Sequence, residues 1–308
     1  MSNFKTLVVL SGKGGVGKST LTASLAVLLA ETNKITVADC DVDAPNLGLV
    51  LGLKEEQFKE WNYLKTSEKA YLVKEKCKGR RKCVRACNFS AIKWDSEQSL
   101  PKFNDLLCTG CGACIVVCPD FAIELKEIEN GKIGSGVTNY GFPIITGHLN
   151  IGESGSGKVV DAVKMKAQTV SESNRSDLLL LDAAAGVGCP IIASVKGTDY
   201  VVIVTEPTPV AFWDLKRVLE VVNYFNIPHG IVINRWDINK DFTKTIEKFA
   251  KSNNIPLLGK IPYDRRFVDA LVNLKPAVVY EKELEELFFD IINNISILID
   301  IKHLNNKN

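Results

Sequence analysis

The segment Gly12-Lys13-Gly14-Gly15-Val16-Gly17-Lys18-Ser19 constrains this chain more than any other part of it. Two glycines bracket four residues, and a lysine and a serine follow; this is the phosphate-loop pattern. Glycines at those positions let successive backbone N–H groups curl around phosphate oxygens. Lys18 is placed to reach the β- and γ-phosphates of a nucleotide, and Ser19 offers its hydroxyl to Mg²⁺. An apolar run, Leu7–Leu10, precedes the loop, and a helical pattern over Lys18–Glu31 follows it. That context aims the positive end of a helix at the anion.

Strand patterns at Ile35–Asp39, Leu178–Asp182, Tyr200–Thr205, Gly230–Asn234 and Pro256–Ile261 alternate with helical patterns. The helices are expected near Val159–Glu172, Pro209–Tyr224, Thr243–Ser252, Arg265–Asn273 and Glu281–Ile301. Such alternation predicts an α/β fold whose parallel sheet is covered by helices on both faces. The pattern is absent from about Glu56 to Thr138, where cysteines, basic residues and short segments take its place. The 308 residues therefore read as one α/β domain in two parts, 1–55 and 141–308, with an insert at 56–140. The glycine-rich stretch Gly131–Gly157 reads as the loops that rejoin the parts. Met1–Lys5 runs straight into the first strand with no leader pattern, and no segment has the apolar length of a membrane span, so a cytoplasmic protein is expected.

Nine cysteines are many for such a chain, and seven of them lie between Cys77 and Cys118. In a reducing compartment this clustering points to metal rather than disulfides. Cys108, Cys111, Cys114 and Cys118-Pro119 follow the bacterial ferredoxin spacing, in which three thiolates wrap one cluster and the fourth ligates another. Zinc fits this spacing poorly, because its cysteine pairs are usually separated by a longer loop. Upstream, Cys77, Cys83 and Cys87 fall in the same register, with Arg80 in place of the second cysteine and Asn88 in place of the proline. Ser90-Ala91-Ile92 and Phe121-Ala122-Ile123 follow the two runs at equal distance. The insert is thus expected to be a two-cluster ferredoxin-like α+β module. One site takes Cys87, Cys108, Cys111 and Cys114, and is expected to hold [4Fe–4S]. The other has only Cys77, Cys83 and Cys118; it is a [3Fe–4S] site, a [4Fe–4S] site with an exogenous or distant ligand, or no site.

With Lys13 added, the phosphate loop resembles the deviant Walker A of the MinD/ParA/nitrogenase-iron-protein family, in which this lysine reaches across a dimer to the partner's nucleotide. Asp39-Cys40-Asp41-Val42-Asp43 resembles the first switch of that family. Asp41 is the residue expected to orient attacking water or a Mg²⁺-bound water, with Asp43 as the alternative. Leu178–Asp182 is a Walker B pattern that places Asp182 near the metal, through a water as the resemblance implies, and it leads into a second switch with Ala184 and Ala185 where relatives usually have prolines. By the same resemblance, Asn234 reads the adenine edge, with Arg235 beside it, and Glu206-Pro207-Thr208-Pro209 is a family-like segment. The resemblance covers 1–53 and about 145–275. It implies an ATPase that uses Lys13, Lys18 and Asp41 catalytically. Gly12, Gly14, Gly15, Val16, Gly17, Lys18, Ser19 and Thr20 would contact ATP, and Ser19 and Asp182 would serve Mg²⁺. A homodimer, or a heterodimer with a paralogue, would close around two nucleotides.

Around Arg80 stand Lys74, Lys76, Lys78, Arg81, Lys82 and Arg85, opposed in sequence only by Glu75. This is either a solvated face or a docking face for an acidic electron carrier. It lacks interleaved aromatics, and the net charge is only +2, so no nucleic-acid role is expected. The acidic polar face of Leu284–Ile301 argues against a membrane-surface helix. Cys40 reads as a buried small residue, and Cys189 as a structural residue near the second switch. Gly152–Lys158 resembles a second phosphate loop without its full spacing or a strand-turn context. Three functions follow from these readings: ATP-gated electron transfer to a protein partner, metallocluster assembly or delivery to a recipient, or a positioning switch with structural clusters.

Overall fold

The computed structural model describes residues 4–302; Met1–Asn3 of the expected N-terminal lead lie outside the described residues. The strands are β1 (Lys5–Ser11), β2 (Ile35–Cys40), β3 (Lys59–Leu64), β4 (Ser67–Leu72), β5 (Ile92–Asp95), β6 (Leu100–Phe103) and β7 (Ile123–Ile128). They continue with β8 (Gly131–Val137), β9 (Pro143–Leu149), β10 (Leu178–Ala185), β11 (Tyr200–Thr205), β12 (His229–Asn234) and β13 (Leu257–Ile261). The helices are α1 (Lys18–Ala30), α2 (Leu47–Val50), α3 (Lys82–Ala86), α4 (Ala113–Val116), α5 (Ser156–Asn174) and α6 (Cys189–Val195). After them come α7 (Pro209–Tyr224), α8 (Lys240–Ser252), α9 (Arg265–Val272), α10 (Ala277–Tyr280) and α11 (Glu286–Ile299).

Two compact units result. The first comprises the chain up to Trp61, Ile133–His148, and everything from Ser156 onward. Its sheet has the order β13-β12-β11-β1-β10-β2-β9-β8-β3, and the seven strands from β13 to β9 are parallel. Strands β2 and β11 are buried at every residue, inward and outward positions alike. Unbroken apolar strands of this kind are stable only where both faces are covered. Helix α1 is likewise buried at Leu21, Ala23, Leu25, Ala26, Leu28 and Leu29, so it is a core helix rather than a surface one. The C-terminal segment divides into α10, a 3₁₀ turn at Lys282–Glu285 and α11. Phe288, Ile291, Ile292, Ile295 and Ile299 of α11 are buried, each worth about 1.5–3 kcal/mol of apolar burial. Gly259 of β13 has no room for a Cβ because Ile291 occupies that space, which fixes how closely α11 lies on the sheet.

The boundaries differ from those expected at 56–140. The second unit is Asn62–Lys132 with Leu149–Gly155. The glycine-rich stretch is not simply loop, since it contains β8 and β9, which extend the large sheet. Its glycines are close-packing positions: a side chain on Gly134 would strike Trp61, one on Gly136 would meet Leu53, and one on Gly147 would overlap Val163. The loop before α5 also has the strand-to-helix context that the sequence did not suggest, because β9 ends at Leu149 and α5 begins at Ser156.

The second unit holds two antiparallel pairs, β4 with β7 and β5 with β6. Its small core consists of Ala70, Cys83, Ile92, Cys114 and Ile123. Asn130, fully buried, ties the unit's ends together. Its Oδ1 accepts from the Thr66 amide at 2.9 Å and its Nδ2 donates to the Ser154 carbonyl at 2.9 Å. Lys69, buried, and Glu153, only 13% exposed, form an ion pair at 2.5 Å in the same unit.

The internal repeat is visible in the backbone. Gly79 and Gly110 share a φ of 68°, and left-handed Arg81 and Gly112 (φ 57° and 76°) begin α3 and α4. Ser90 and Phe121 are left-handed three residues after Cys87 and Cys118 (φ 53° and 51°). The amides of Ala91 and Ala122 donate to the Cys87 and Cys118 sulfurs, both at 3.3 Å.

Candidate functional site

The parallel register brings the ends of β1, β2 and β10 together, with Val9 opposite Asp182 and Asp182 opposite Asp39. The phosphate loop leaves β1 and turns through Gly15 and Gly17, whose φ values of 79° and 94° only glycine adopts without strain. Lys18 opens α1 and is buried, with its Nζ 3.0 Å from Asp182 Oδ2, 3.8 Å from Asp41 Oδ2 and 3.1 Å from Ser19 Oγ. Burial works against its charge, but Asp182, Asp41 and Asp39 outweigh it and raise its pKa. Asp182 is fully buried and its Oδ1 lies 2.7 Å from the Thr22 hydroxyl. Its Oδ2 contacts Lys18 off the hydrogen-bonding direction and has no donor of its own. The Asp182 carboxylate, ion-paired to Lys18, is the acceptor that a Mg²⁺-bound water would use.

The three aspartates of the β2 loop separate by burial. Asp39 is buried and accepts from the Asp41 and Leu47 amides at 3.1 and 2.9 Å, so it shapes the turn. Burial, together with Asp182, pushes its pKa up to about 7. Asp41 is half-buried beside Lys18, and burial raises its pKa while Lys18 opposes the shift. Asp43 is exposed. Of the two candidates, Asp41 is therefore the one brought to the lysine.

Gly12 and Asn234 have structural partners in addition to the roles expected of them. Gly12 lies against the backbone of Asp214 in α7, which leaves no room for a Cβ, so its smallness serves packing. Gly17 faces the Asn234 amide just as closely, and Asn234 Nδ2 donates to the Val16 carbonyl at 2.8 Å. Asn234 thus braces the phosphate loop. It also lines a cleft with about 610 Å³ of free space, part of it open to solvent, together with Gly17, Thr20, Arg235, Pro262 and Tyr263. That cleft, apolar and next to the loop, could take a nucleotide base. Gly14 approaches Ala185 of β10, while a Cβ on Gly15 would meet open space.

Glu206, named in the sequence only as the start of a family-like segment, gains a role from its partners. It follows β11 and is buried, and its Oε1 lies 2.7 Å from Lys13 Nζ and its Oε2 3.1 Å from Arg235 Nη1. One carboxylate therefore holds the lysine of the loop and the arginine beside Asn234. A buried glutamate needs such partners, and its position before Pro207 was the available signal.

In the second unit the cysteines line two cavities of nearly equal free space, about 330 and 340 Å³. Cys87, Cys108, Cys111 and Cys114 line the first, and Cys77, Cys83 and Cys118 line the second with Arg80. Each cavity thus draws on both halves of the repeat. The Ala70 amide donates to Cys108 Sγ at 3.4 Å, and Ala91 and Ala122 do the same for Cys87 and Cys118. Such donors stabilise sulfur that carries negative charge. Burial, followed by the neighbouring Cys108, pushes the Cys114 thiol up to about 11, and burial also raises Cys83. Among the described residues, no three His, Cys, Asp or Glu side chains converge as a single metal ion would require.

The basic run is less free than its sequence suggests. Lys76 pairs with Glu124 at 3.1 Å, Lys78 and Arg80 approach Asp120 at 3.8 and 3.3 Å, and Arg81 stacks on Trp94. Of the remaining cysteines, Cys40 is buried, and Cys189 is exposed at the start of α6. Among the described residues, no helix is long and apolar enough to cross a membrane.

A family model described as the CobQ/CobB/MinD/ParA nucleotide binding domain matches residues 7–277. The chain is similar to an uncharacterized protein of Methanocaldococcus jannaschii, MJ0578, with 39% identity over 76% of this chain and 79% of that one. It is 26% identical to an iron-sulfur cluster carrier protein of Pyrococcus horikoshii, over 94% of this chain and 86% of that protein. Among solved structures, it resembles the septum site-determining protein MinD of P. horikoshii in complex with Mg-ADP, with a TM-score of 0.57 and 19% identity, covering 97% of this chain and 100% of that one.

Proposed function

Because the chain belongs to the CobQ/CobB/MinD/ParA nucleotide-binding family and is a P-loop ATPase of the MinD/ParA kind, we propose that it couples an ATP-driven dimer switch to electron transfer through iron–sulfur clusters to a protein partner. The observation that carries this reading is the sorting of seven thiols into two cavities, four and three, in the same chain as the phosphate loop. Thiols with backbone N–H donors suit iron–sulfur clusters, which supply one-electron chemistry when bound.

In this reading Lys18 neutralises the β- and γ-phosphates, and Ser19 with Asp182 holds hydrated Mg²⁺. Thr22 fixes the Asp182 carboxylate, and Asp41 positions the attacking water. Lys13 exchanges Glu206 for a phosphate oxygen as two copies close. Asn234 turns its amide from Val16 toward the base, or braces the loop while Tyr263 and Pro262 line the base cleft.

The test is to prepare the protein anaerobically and measure cluster midpoint potentials and reoxidation rates with and without ATP·Mg²⁺. A nucleotide-dependent potential or rate is expected. Potentials and rates that ignore nucleotide would overturn electron gating. A second reading, cluster delivery, is favoured by the similarity to the iron-sulfur cluster carrier protein. It predicts ATP-dependent loss of iron to an apo-acceptor, which the same preparation measures.

A further inference from the structure

The three-thiol cavity contains a residue that the cysteine spacing does not announce. Asp120, two residues beyond Cys118, lines it together with Cys77, Cys83, Cys118 and Arg80. Its side chain is only 9% exposed, with Arg80 Nε donating to Oδ2 at 3.3 Å and Lys78 Nζ 3.8 Å from Oδ1. The repeat supplies the comparison. Phe89, two residues beyond Cys87, lines the four-thiol cavity, where Cys111 completes the set. Two matched positions thus differ together: where one cavity has a thiol and a phenyl ring, the other has a guanidinium and a carboxylate.

We propose that Asp120 is the fourth donor of the three-thiol site, giving a carboxylate oxygen to the iron corner that lacks a thiol, with Arg80 holding that carboxylate until iron takes its place. This rests on the iron–sulfur reading above. Oxygen is a poorer match than thiolate for cluster iron. Asp120 must also leave Arg80 to bind, so the fourth iron is exchangeable here and fixed at the four-thiol site. The step balances without a further oxidant or reductant: a [3Fe–4S]⁰ core takes up Fe²⁺ and becomes [4Fe–4S]²⁺. Asp120 enters ionised, so no proton is released, and Arg80 and Lys78 turn to solvent or to another anion.

The experiment follows iron content and electron paramagnetic resonance of the full chain, purified anaerobically, reduced with dithionite and titrated with ferrous iron. The wild type is expected to gain one iron per chain at the three-thiol site. Asp120→Asn should weaken that uptake at least tenfold, and Asp120→Cys should bind the fourth iron more tightly than the wild type. The four-thiol cluster signal in the same chain reports that each variant is folded. Uptake by Asp120→Asn equal to the wild type would overturn the proposal, since water or added thiol would then be the donor. A loaded four-thiol site beside an iron-free three-thiol site would overturn this inference alone. Iron at neither site would overturn the iron–sulfur reading itself.

Discussion

Replacing Glu206 with glutamine tests whether Lys13 is held in reserve. The substitution keeps shape and an acceptor oxygen but removes the charge that Lys13 and Arg235 share at 2.7 and 3.1 Å. Hydrogen bonds to a charged group contribute about 1.5–3 kcal/mol when buried. Glu206 is buried, but both cations are 36% exposed, so solvent screening reduces each contact to about 1 kcal/mol. Glu206→Gln should therefore lower stability by about 1–2 kcal/mol, read from denaturant unfolding. The same change relieves Lys13 of breaking that pair. ATP-dependent self-association should then tighten by about fivefold, since about 1.4 kcal/mol corresponds to tenfold. Nucleotide titration followed by sedimentation measures this. If stability and self-association fall together, Glu206 serves the closed state and does not restrain Lys13.

Asp41→Asn should bind nucleotide nearly as the wild type does yet lower single-turnover hydrolysis by about 10²-fold or more, the usual contribution of a group that positions or deprotonates a nucleophile. Gly17→Ala must adopt a left-handed conformation and push against the Asn234 amide, so it should cost about 1–3 kcal/mol and weaken ATP binding, seen by calorimetry and unfolding. Lys164 is buried, and its ammonium donates to the Ala193, Ser194 and Lys196 carbonyls at the end of α6. Lys164→Met leaves these acceptors without that donor and should destabilise by about 1–3 kcal/mol with little direct effect on nucleotide affinity. Arg80→Cys should raise tightly bound iron by one per chain and alter the resonance signal of the three-thiol site; unchanged iron and spectra would mean that this corner is not open to a ligand.

The phosphate loop and the alternation that builds the parallel sheet were legible in the sequence, because each depends on short-range spacing. Gly15 and Gly17 turn where their motif requires, and Cys87 lines one cavity with Cys108, Cys111 and Cys114. The glycines of 131–147 were not legible, since a glycine in a loop and a glycine beneath Trp61 or Val163 look alike until the strands are assembled. Nor was Glu206, whose partners Lys13 and Arg235 are far from it in the chain and reach it only through the order of β11, β1 and β12. Asp120 follows the same rule. Sequence placed it after a cysteine and a proline, but only the folded second unit turns its carboxylate into the cavity opposite Arg80. Local geometry is encoded in neighbouring residues, whereas the pairing of distant charges is decided by burial, which the assembled chain alone imposes.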